Sequence, residues 1–496
     1  MNRRVGWEPP TRPEARHSKR GGSKQGAFLL KVVIIGAGEV GYHVIGSLYR
    51  ENVDIVVIDT DPAVLEQLQS EFNISTLLGN ATDGKVLEQA GAGEADLFLA
   101  VTNYDETNII SCLLVGQMGQ AQKIARVKTI NIGHDSSFTE KHQMGIELII
   151  NPYQVAAEHL VALIRYPQLT DYNQFLSDEV LLARILIPSG SPLADRSVMD
   201  FGQLSQIPQT LIALVQRGGE SFMPHRDTVI RAGDEVYFFS GRDQMPRLFE
   251  YLKLPPLKSR RVFINGGGHI GYALARRLEK MKVDVRVLEK SEERCQWLSQ
   301  RLDRALILHA DGTDSNQLKA EGIDYADCFI SVTDIDQVNM VSCLLAKEYG
   351  AKRTVALVKQ PELLPILARR GLIDVAFSPR LLTARKILRF VRGGDLSSFF
   401  SFANSDIEIL ELEVRSGMRC NDKALAELEL PQGVLVGAVK REEEIFVPRG
   451  DDMVLEGDTL LLLQQRRNRR STKSIFLEAP KPVDAGSQAP PERAGV

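Results

Sequence analysis

The chain contains two copies of one long sequence pattern, and this duplication restricts its possible folds more than any other feature. VVIIGAGEVG at residues 32–41 returns as VFINGGGHIG at residues 262–271. ADLFLAVTNYDETNIISCLL at residues 95–114 returns as ADCFISVTDIDQVNMVSCLL at residues 326–345. Matches that keep a near-constant offset through a whole domain indicate a duplicated domain rather than two chance motifs.

A second, shorter pattern follows each copy of the first. ALVQRGGESFMPHRDTVIRAGDEVYFF at residues 213–239 matches GAVKREEEIFVPRGDDMVLEGDTLLLL at residues 437–463. Both segments combine apolar runs of strand length with a tight Gly-Asp turn. The chain therefore consists of a large unit and a small unit, each present twice in alternation.

The large unit alternates short apolar runs with helical segments. In the first copy the apolar runs are KVVIIGA, DIVVID, STLLGN, DLFLAVT and KIARVK. Strands of about five residues with helices between them indicate a parallel sheet that is covered on both faces. We therefore predict an α/β fold class: a tandem duplication of a Rossmann-type, doubly wound parallel-sheet domain, each copy followed by a small β-rich α+β domain.

Composition and charge exclude several classes of protein. The 496 residues carry a net charge of −4 with a pI of about 6.1, so the chain lacks the basic footprint of a nucleic-acid-binding protein. No apolar run approaches the roughly 18 residues that span a bilayer, and the N-terminus lacks the apolar core of a signal peptide, so we expect a cytoplasmic location. The five cysteines and eight histidines show no metal-binding spacing, and no catalytic metal is expected.

Each large unit opens with a glycine-rich turn between a strand and a helix. In the first copy, Gly36 permits the tight turn, Gly38 lets backbone N–H groups approach a pyrophosphate, and Gly41 lets the helix pack closely on the sheet. Asp59 ends the next strand, where it is expected to accept hydrogen bonds from ribose hydroxyl groups and to disfavour the 2′-phosphate of NADP. NAD, ATP and ADP all have a free adenosine ribose, so these residues leave the choice among them open.

Polar residues follow the other strands of the first copy at the same edge of the sheet. Asn80 follows the third strand, where its amide is placed to read an adenine edge, and Thr102 and Asn103 follow the fourth. Arg126 ends the fifth strand and is a candidate partner for phosphate oxygens, with a surface ion pair as the alternative. Glu106, in the first turn of the following helix, is either a ligand group or an acid that interacts with the helix dipole.

A carboxylate lies inside the first glycine loop. Glu39 would lie near bound phosphates, where it repels them, helps to hold a cation against them, or caps the helix N-terminus. Helix capping is the favoured role.

The second copy keeps the glycine pattern but changes the polar residues around it. Gly266, Gly268, Gly271 and Glu289 retain the loop and the acid of the next strand. The surrounding positions differ as follows: Asp311 replaces Asn80, Asp334 replaces Asn103, Gln337 replaces Glu106, and Leu357 replaces Arg126. The second crevice has lost its arginine and gained acids, so it binds a different nucleotide, binds one weakly, or serves structure alone.

No group of residues suited to catalysis accompanies the glycine loops. A dehydrogenase needs an acid or base against the substrate and usually a substrate domain, whereas the small units contain no His/Asp or Cys/His constellation. We therefore predict a sensor that is not an enzyme, in which ligand binding shifts the arrangement of the units. An NAD-dependent oxidoreductase with tandem Rossmann domains is the alternative.

The ordered motifs GAGEVG, Asp59, GNATD, AVTNYDETN, ARVK and AGDEVYFF, all repeated, resemble the TrkA family. Its members are the peripheral subunits of bacterial and archaeal Trk potassium uptake systems, built from two RCK (KTN) domains. The resemblance covers about residues 30–466 and implies NAD(H) and ATP/ADP binding in a cytoplasmic ring, a homotetramer. It also implies docking on the inner face of the membrane and gating of a potassium-translocating partner of the TrkH/TrkG type. A regulator of another cation channel or antiporter is a further alternative.

Motif position and the resemblance together give the candidate binding residues. For the first site these are Gly36, Ala37, Gly38, Glu39, Val40, Gly41, Asp59, Asn80, Ala81, Thr102, Asn103, Glu106 and Arg126. For the second site they are Gly266, Gly267, Gly268, His269, Ile270, Gly271, Glu289, Asp311 and Thr333. Gln337 and Leu357 depart from the first-site pattern and weaken the second assignment.

The resemblance also supplies names for the predicted parts of the chain. In chain order they are a disordered basic N-terminal extension (1–28), the first RCK_N domain (29–150), a crossover helix (151–172), the first RCK_C domain (173–255), a linker (256–260), the second RCK_N domain (261–380), a second crossover helix (381–400), the second RCK_C domain (401–466) and a disordered tail (467–496).

Overall fold

The structure of the protein, a computed structural model, divides into two compact units. The described residues are 30–49, 53–128, 145–176, 179–254, 260–364, 366–367, 371–391, 398–401 and 406–476. One unit combines the chain up to Pro167 with Lys258–Val391, and the other combines Gln168–Leu257 with the chain from Arg392 onward. The predicted N-terminal extension, and the predicted linker apart from Arg260, lie outside the described residues. Within the described ranges, no helix has the length and apolar character needed to cross a membrane.

The first large domain and its crossover helix occupy the chain up to Arg165. Their elements are β1 (Lys31–Ile35), α1 (Glu39–Tyr49), β2 (Asp54–Asp59), α2 (Pro62–Glu71), β3 (Ser75–Leu78), α3 (Gly84–Gln89), β4 (Leu97–Ala100), α4 (Asp105–Met118), β5 (Gln122–Arg126), β6 (Leu148–Ile150) and α5 (Pro152–Arg165).

The first small domain follows directly. Its elements are β7 (Asp171–Phe175), β8 (Val180–Leu186), β9 (Arg196–Ser197), α6 (Val198–Leu204), β10 (Thr210–Arg217), β11 (Glu220–Phe222), β12 (Val229–Ile230), β13 (Glu235–Gly241) and α7 (Met245–Tyr251).

The second half repeats this order. Its large domain and crossover helix comprise β14 (Arg261–Asn265), α8 (His269–Lys280), β15 (Asp284–Glu289), α9 (Glu292–Ser299), β16 (Leu306–His309), α10 (Ser315–Ala320), β17 (Cys328–Ser331), α11 (Asp336–Glu348), β18 (Thr354–Leu357), β19 (Val375–Phe377) and α12 (Pro379–Val391). Its small domain comprises β20 (Ser398–Ser401), β21 (Ile407–Glu413), β22 (Lys423–Ala424), β23 (Val434–Arg441), β24 (Glu444–Phe446), β25 (Met453–Val454), β26 (Thr459–Gln465) and α13 (Arg469–Phe476).

Both large domains contain a parallel sheet with its switch point between the first and fourth strands, which confirms the predicted fold class. The strand orders are β3-β2-β1-β4-β5-β6 and β16-β15-β14-β17-β18-β19. The residues of β1 from Val32 to Ile35 are at most 1% exposed, because helices cover both faces of the sheet. Ligands of such sheets bind beyond the carboxyl ends of the strands at the switch point, which is where both glycine loops lie.

Each sheet has one strand more than the sequence predicted. β6 pairs with β5, and β19 pairs with β18, both in parallel. These strands are only three residues long. So short a segment shows no strand periodicity, which explains why the pattern ended at the fifth strand.

The two crossover helices are exchanged between the large domains. α12, from the second half, packs against α1, and α5, from the first half, packs against α8. Ile387 and Leu388 of α12 belong to the same buried cluster as Val44 and Ile45 of α1. The hydrophobic core of the first large domain is therefore completed by a helix that follows the second.

The small domains are antiparallel and share one core. Their five-stranded sheets have the orders β11-β10-β13-β8-β7 and β20-β21-β26-β23-β24. Leu182 and Phe239 of the first sheet lie in the same apolar cluster as Ile409 and Leu461 of the second. The two small domains therefore stabilise each other by burying a common apolar surface.

The sequence placed the start of a disordered tail at residue 467, and the structure corrects this boundary. Arg469–Phe476 form α13, and the side chain of Phe476 is buried in the core of the second small domain. Charged and polar residues dominate this helix, so the single buried Phe was too weak a signal to read from the pattern. Residues 477–496 lie outside the described part of the chain.

The Gly-Asp turns of the small domains are held by buried carboxylates. Asp234 is 2% exposed, and it accepts hydrogen bonds from Nε and Nη2 of Arg217 at 2.7 and 2.6 Å and from the N–H of Arg231 at 2.7 Å. Asp458 repeats this arrangement with Arg441 and the N–H of Leu455. Burial opposes the ionisation of Asp234, but these donors outweigh it and lower the pKa of its carboxyl group below the ordinary value.

We expect Asp234→Asn to lower the free energy of unfolding by about 2 to 3 kcal/mol at neutral pH, because charge-assisted hydrogen bonds contribute about 1.5 to 3 kcal/mol. The folded-state pKa is depressed, so this stabilisation is present above the ordinary aspartate pKa of about 3.9 and is lost as the pH falls through the folded-state value. Denaturant unfolding at pH 7 and pH 3 tests both statements. Asp243→Asn, at an exposed position of the same unit, is the matched control; equal stability of the two variants at pH 7 would contradict the prediction.

Candidate nucleotide-binding sites

The first glycine loop is shaped by two backbone contacts that leave no room for a side chain. Gly36 has a φ of +92°, and a Cβ atom there would lie 2.7 Å from the backbone nitrogen of Thr102. A Cβ atom on Gly41 would lie 2.0 Å from the carbonyl oxygen of Gly36. The roles predicted for these two glycines, a tight turn and a close helix-to-sheet approach, agree with this geometry.

The remaining residues of the loop divide into a buried pair and an exposed pair. Ala37 and Val40 are 3% and 4% exposed, so their side chains belong to the core and only their backbone groups face the site. Gly38 and Glu39 are exposed. A Cβ atom on Gly38 would meet nothing within 4 Å, so the fold itself does not require glycine there. The open space above Gly38 fits the approach of a pyrophosphate to the backbone.

Asp59 holds the loop in place. Its carboxylate accepts hydrogen bonds from the N–H of Ala37 at 2.6 Å and from the N–H of Asp61 at 3.0 Å. It is half-buried at the end of β2. Hydrogen bonds from a ribose to Asp59 stay a prediction. They would be made by a carboxylate that already anchors the loop through backbone N–H groups.

A buried asparagine in α4 braces the edge of the sheet. The side-chain oxygen of Asn108 accepts hydrogen bonds from the N–H and the hydroxyl of Thr102 at 3.0 and 2.7 Å. Its amide nitrogen donates to the carbonyl groups of Thr102 at 3.0 Å and Arg126 at 2.7 Å. Asn339 makes the equivalent bonds to Thr333 and Leu357 in the second copy. The occurrence of asparagine at the equivalent position of both copies is the sequence signal for this bracing role.

Arg126 lies beside this brace with its hydrogen-bonding capacity incompletely used. Its Nη1 donates to the carbonyl of Thr102 at 3.3 Å and to the side-chain oxygen of Asn103 at 3.1 Å. Its Nε atom is buried, and no hydrogen-bond partner for it exists among the described residues. Burial lowers the pKa of the guanidinium group, which nevertheless stays charged. A half-buried cation whose buried Nε is an unused donor is the feature of this crevice that best fits a phosphate group.

The other first-site candidates lie around the same edge of the sheet. Asn80 is exposed after β3, and its side-chain oxygen accepts hydrogen bonds from the N–H and hydroxyl of Thr82. Ala81 is buried. Glu106 is exposed in the first turn of α4, whereas its neighbour Asp105 accepts the N–H of Lys128 with both oxygens at 2.9 Å. Asn80 and Glu106 therefore lie at the rim of the crevice.

Helix capping was the favoured role for Glu39, and the structure shows a different contact. Its carboxylate forms an ion pair with Arg380, which lies in the first turn of α12. Arg380 also donates from Nη1 to the carbonyl of Lys359 at 2.9 Å. No local sequence pattern indicates this pair, because the two residues lie in different halves of the duplication.

The second glycine loop repeats the backbone constraints of the first. Gly266 has a φ of +105° beside Thr333, and a Cβ atom on Gly271 would lie 2.0 Å from the carbonyl oxygen of Gly266. Glu289 accepts the N–H of Gly267 at 2.8 Å, as Asp59 does for Ala37. A Cβ atom on Gly267 would lie 2.4 Å from Cδ1 of Leu298, so alanine here would require that side chain to shift. Gly268 is exposed and open, like Gly38.

The acids of the second crevice are paired within the protein. Asp311 accepts Nζ of Lys290 at 2.9 Å and the N–H and hydroxyl of Thr313. The Thr313 donors and Lys290 lower the pKa of the Asp311 carboxyl group to about 2. Nζ of Lys359 lies 3.4 Å from the carboxylate of Asp334. Leu357, where the first copy has Arg126, is 3% exposed. The two crevices thus share a backbone frame and differ in charge.

The exposed residue of the second loop also contacts a crossover helix from the other half. The ring of His269 stacks on Tyr153 of α5, with 4.7 Å between the ring centroids. Burial and then the charge of Arg294 lower the pKa of His269. Ile270, the next residue, is half-buried in the first turn of α8. Each glycine loop is therefore contacted by the first turn of the crossover helix from the opposite half.

Two protein families match the chain, each of them twice. The TrkA-N domain family matches residues 32–152 and 262–379. The TrkA-C domain family matches residues 182–253 and 409–477. Together these matches cover most of the chain and confirm the alternation of large and small domains.

Curated relatives match nearly the whole chain. The "Trk system potassium uptake protein TrkA" of Halomonas elongata is 33% identical over 452 residues, which cover 90% of this chain and 98% of the relative. The "Trk system potassium uptake protein TrkA homolog" of Archaeoglobus fulgidus is 33% identical over 448 residues, covering 90% of this chain and 100% of that protein.

A solved structure shares the fold of the chain. The GsuK channel, solved with NAD bound, has a TM-score of 0.58 at 20% identity, and the match covers 90% of this chain and 79% of that one. At this level of identity the likeness concerns the fold, and it agrees with the tandem arrangement described above.

We expect Gly41→Ala to destabilise the fold and Gly38→Ala to leave its stability nearly unchanged. The added methyl group at residue 41 meets the carbonyl of Gly36, so the helix must shift and the free energy of unfolding falls by roughly 1 to 3 kcal/mol or more. The same change at residue 38 enters open space and alters the stability by less than about 1 kcal/mol. Thermal and denaturant unfolding of the two variants measures this difference. A Gly41→Ala variant as stable as the wild type would contradict the described contact.

Proposed function

The chain belongs to the TrkA family, and from that premise we propose that it is a cytoplasmic, nucleotide-binding regulatory subunit of a potassium uptake system. The matches to TrkA-N and TrkA-C domains run through both halves of the chain. The curated relatives that match nearly its whole length are named as Trk potassium uptake proteins. We propose that such a subunit acts through ligand binding and not through catalysis.

The observation that carries the nucleotide proposal is the state of Arg126. Its guanidinium group is partly desolvated, and its buried Nε has no partner among the described residues. Desolvating a cation costs free energy unless a group of opposite charge compensates, and phosphate oxygens are suited to do so. The backbone of Gly38 and the N-terminus of α1 face the same crevice and would hold a pyrophosphate. Asp59 and Asn80 would hold the adenosine part.

The ligand is NAD(H) or ATP/ADP. All four have the adenosine ribose that a carboxylate in the position of Asp59 selects, and none has the 2′-phosphate that it repels. The second site, with Leu357 in place of Arg126, would bind phosphates more weakly. The first site is therefore the principal control site.

Regulation would follow from a difference in nucleotide affinity between two arrangements of the domains. A ligand shifts such an equilibrium only by the ratio of its affinities for the two states. We propose that the subunit docks as a homotetramer on an integral membrane partner of the TrkH/TrkG type. The nucleotide-dependent arrangement would then open or close the potassium path of that partner.

We expect Arg126→Leu, which installs the residue found in the second copy, to weaken nucleotide binding at the first site about ten- to hundredfold. A charge-assisted hydrogen bond to a buried ligand contributes about 1.5 to 3 kcal/mol, and 1.4 kcal/mol corresponds to a factor of ten in affinity. The stability of the protein without nucleotide should change little, because the two hydrogen bonds that the Arg126 side chain makes within the described residues, at 3.3 and 3.1 Å, are near the upper end of the usual range.

Calorimetric titration of the variant with ATP, ADP, NAD and NADH measures this effect. Lys85→Gln removes an exposed cation from the same domain and is the control for net charge. Equal affinity of the Arg126→Leu variant and the wild type for every one of these nucleotides would refute the role of Arg126.

We expect the wild-type chain, expressed with its own membrane partner, to restore potassium uptake in a strain that lacks Trk activity. We expect Gly38→Asp to abolish the nucleotide dependence of that uptake. An aspartate at residue 38 enters the space of the pyrophosphate and adds negative charge to it, while the space around residue 38 leaves the fold intact. The measurement is potassium uptake at controlled nucleotide ratios.

Gly38→Ala is the matched control for steric change without charge. Failure of the wild-type pair to restore uptake would refute the potassium assignment. Unchanged nucleotide dependence in Gly38→Asp would show that the first site is not the control site.

A further inference from the structure

The ion pair between Glu39 and Arg380 joins the two halves of the chain. It lies at the first glycine loop, beside the first crevice. Glu39 is exposed in the loop, with 58% of its side chain accessible. Arg380 comes from the first turn of α12, which follows the second large domain, and its side chain is 24% exposed. A carboxylate at this position places negative charge beside the N-terminus of α1, where the phosphates of a nucleotide would lie.

Arg380 has two attachments, one in each half. Besides the ion pair with Glu39, its Nη1 donates to the carbonyl of Lys359, which follows β18 of the second sheet. Glu39 and Arg380 are also among the charges that act on Arg126: after burial, which lowers the pKa of Arg126, Glu39 opposes the shift and Arg380 adds to it. The two arginines therefore lie within electrostatic reach of each other beside the same crevice.

We infer that Arg380 is a phosphate-binding residue of the first nucleotide site, supplied by the opposite half of the chain. This inference rests on the proposed function. In the structure, the carboxylate of Glu39 is paired with the guanidinium group that the phosphates would engage. The phosphates would bring further negative charge to this point, and Arg380 neutralises both them and Glu39. The nucleotide is thereby held by both halves at once.

The second site offers an internal comparison. The residue equivalent to Arg380 in the first crossover helix is Tyr153, and the residue equivalent to Glu39 is His269. These two make a ring stack in place of the ion pair. Of the two equivalent crossover-helix positions, 380 and 153, only position 380, at the first site, carries an arginine. The first site is also the one that has Arg126, where the second has Leu357. Two cations from different halves converge on one crevice, and both are replaced by other residues at the second.

The test compares ligands that differ only in their phosphates. ATP, ADP, AMP and adenosine are titrated into the full-length wild type and into Arg380→Gln. The same titrations of Gly38→Asp identify first-site binding, which is the portion of the total nucleotide binding that this variant loses. We expect Arg380→Gln to weaken ATP binding about ten- to hundredfold while adenosine affinity is unchanged. Arg380→Lys, which keeps the charge, should recover part of the lost affinity. Glu39→Gln, which releases Arg380 and removes a repulsive charge, should bind ATP more tightly than the wild type.

Lys386→Gln is the matched control, since Lys386 lies on the same helix and pairs with Glu158 at the surface. Equal ATP affinity in Arg380→Gln and the wild type would overturn the inference. An equal loss for ATP and adenosine would overturn it as well, because it would mean that Arg380 only supports the loop. ATP binding by Glu39→Gln that is no tighter than that of the wild type would also contradict it. A wild type that has no binding removable by Gly38→Asp would instead refute the proposed function itself.

Discussion

The contact between the first helix of each large domain and its own glycine turn is the constraint on which both sites depend. With Gly41 and Gly271 directly against the carbonyls of Gly36 and Gly266, the helix N-terminus is fixed at the carboxyl edge of the sheet. Asp59 and Glu289 then hold the loop from the next strand. An anion-binding helix terminus is useful only if its position is fixed, because a preorganised site avoids the entropy of ordering the loop on binding.

Duplication followed by divergence explains why this shared frame carries two different electrostatic environments. The buried Asn108 and Asn339 make the same bonds in both halves, since any change there would leave backbone groups unsatisfied in the core. The side chains that project into the crevices contribute little to folding and are free to change. Arg126 keeps an incompletely bonded guanidinium group in the first crevice, whereas Asp311 in the second is neutralised by Lys290.

The sequence predicted those features that are encoded locally. Strand and helix order, the glycine roles and the position of Arg126 all follow from patterns within one domain, and the repeat strengthened each of them. The short strands β6 and β19 were missed because three residues carry no period. Arg380 and Tyr153 were missed for a different reason: they reach a glycine loop through the exchange of crossover helices, and a contact between distant segments leaves no mark on local patterning. Glu39 was assigned to capping for want of that partner.

The exchange of the crossover helices has a consequence for how binding free energy is transmitted. If every ligand of a site came from one half, a nucleotide would stabilise that half whatever the arrangement of the other. Because Arg380 is anchored to the carbonyl of Lys359 in the second half, its distance from the first crevice depends on how the two large domains are arranged. A nucleotide that uses both Arg126 and Arg380 then binds one arrangement more tightly than the others. That differential affinity is the quantity that converts binding into a shift of population, and through it the proposed Arg380 contact would couple nucleotide occupancy to the arrangement of the domains.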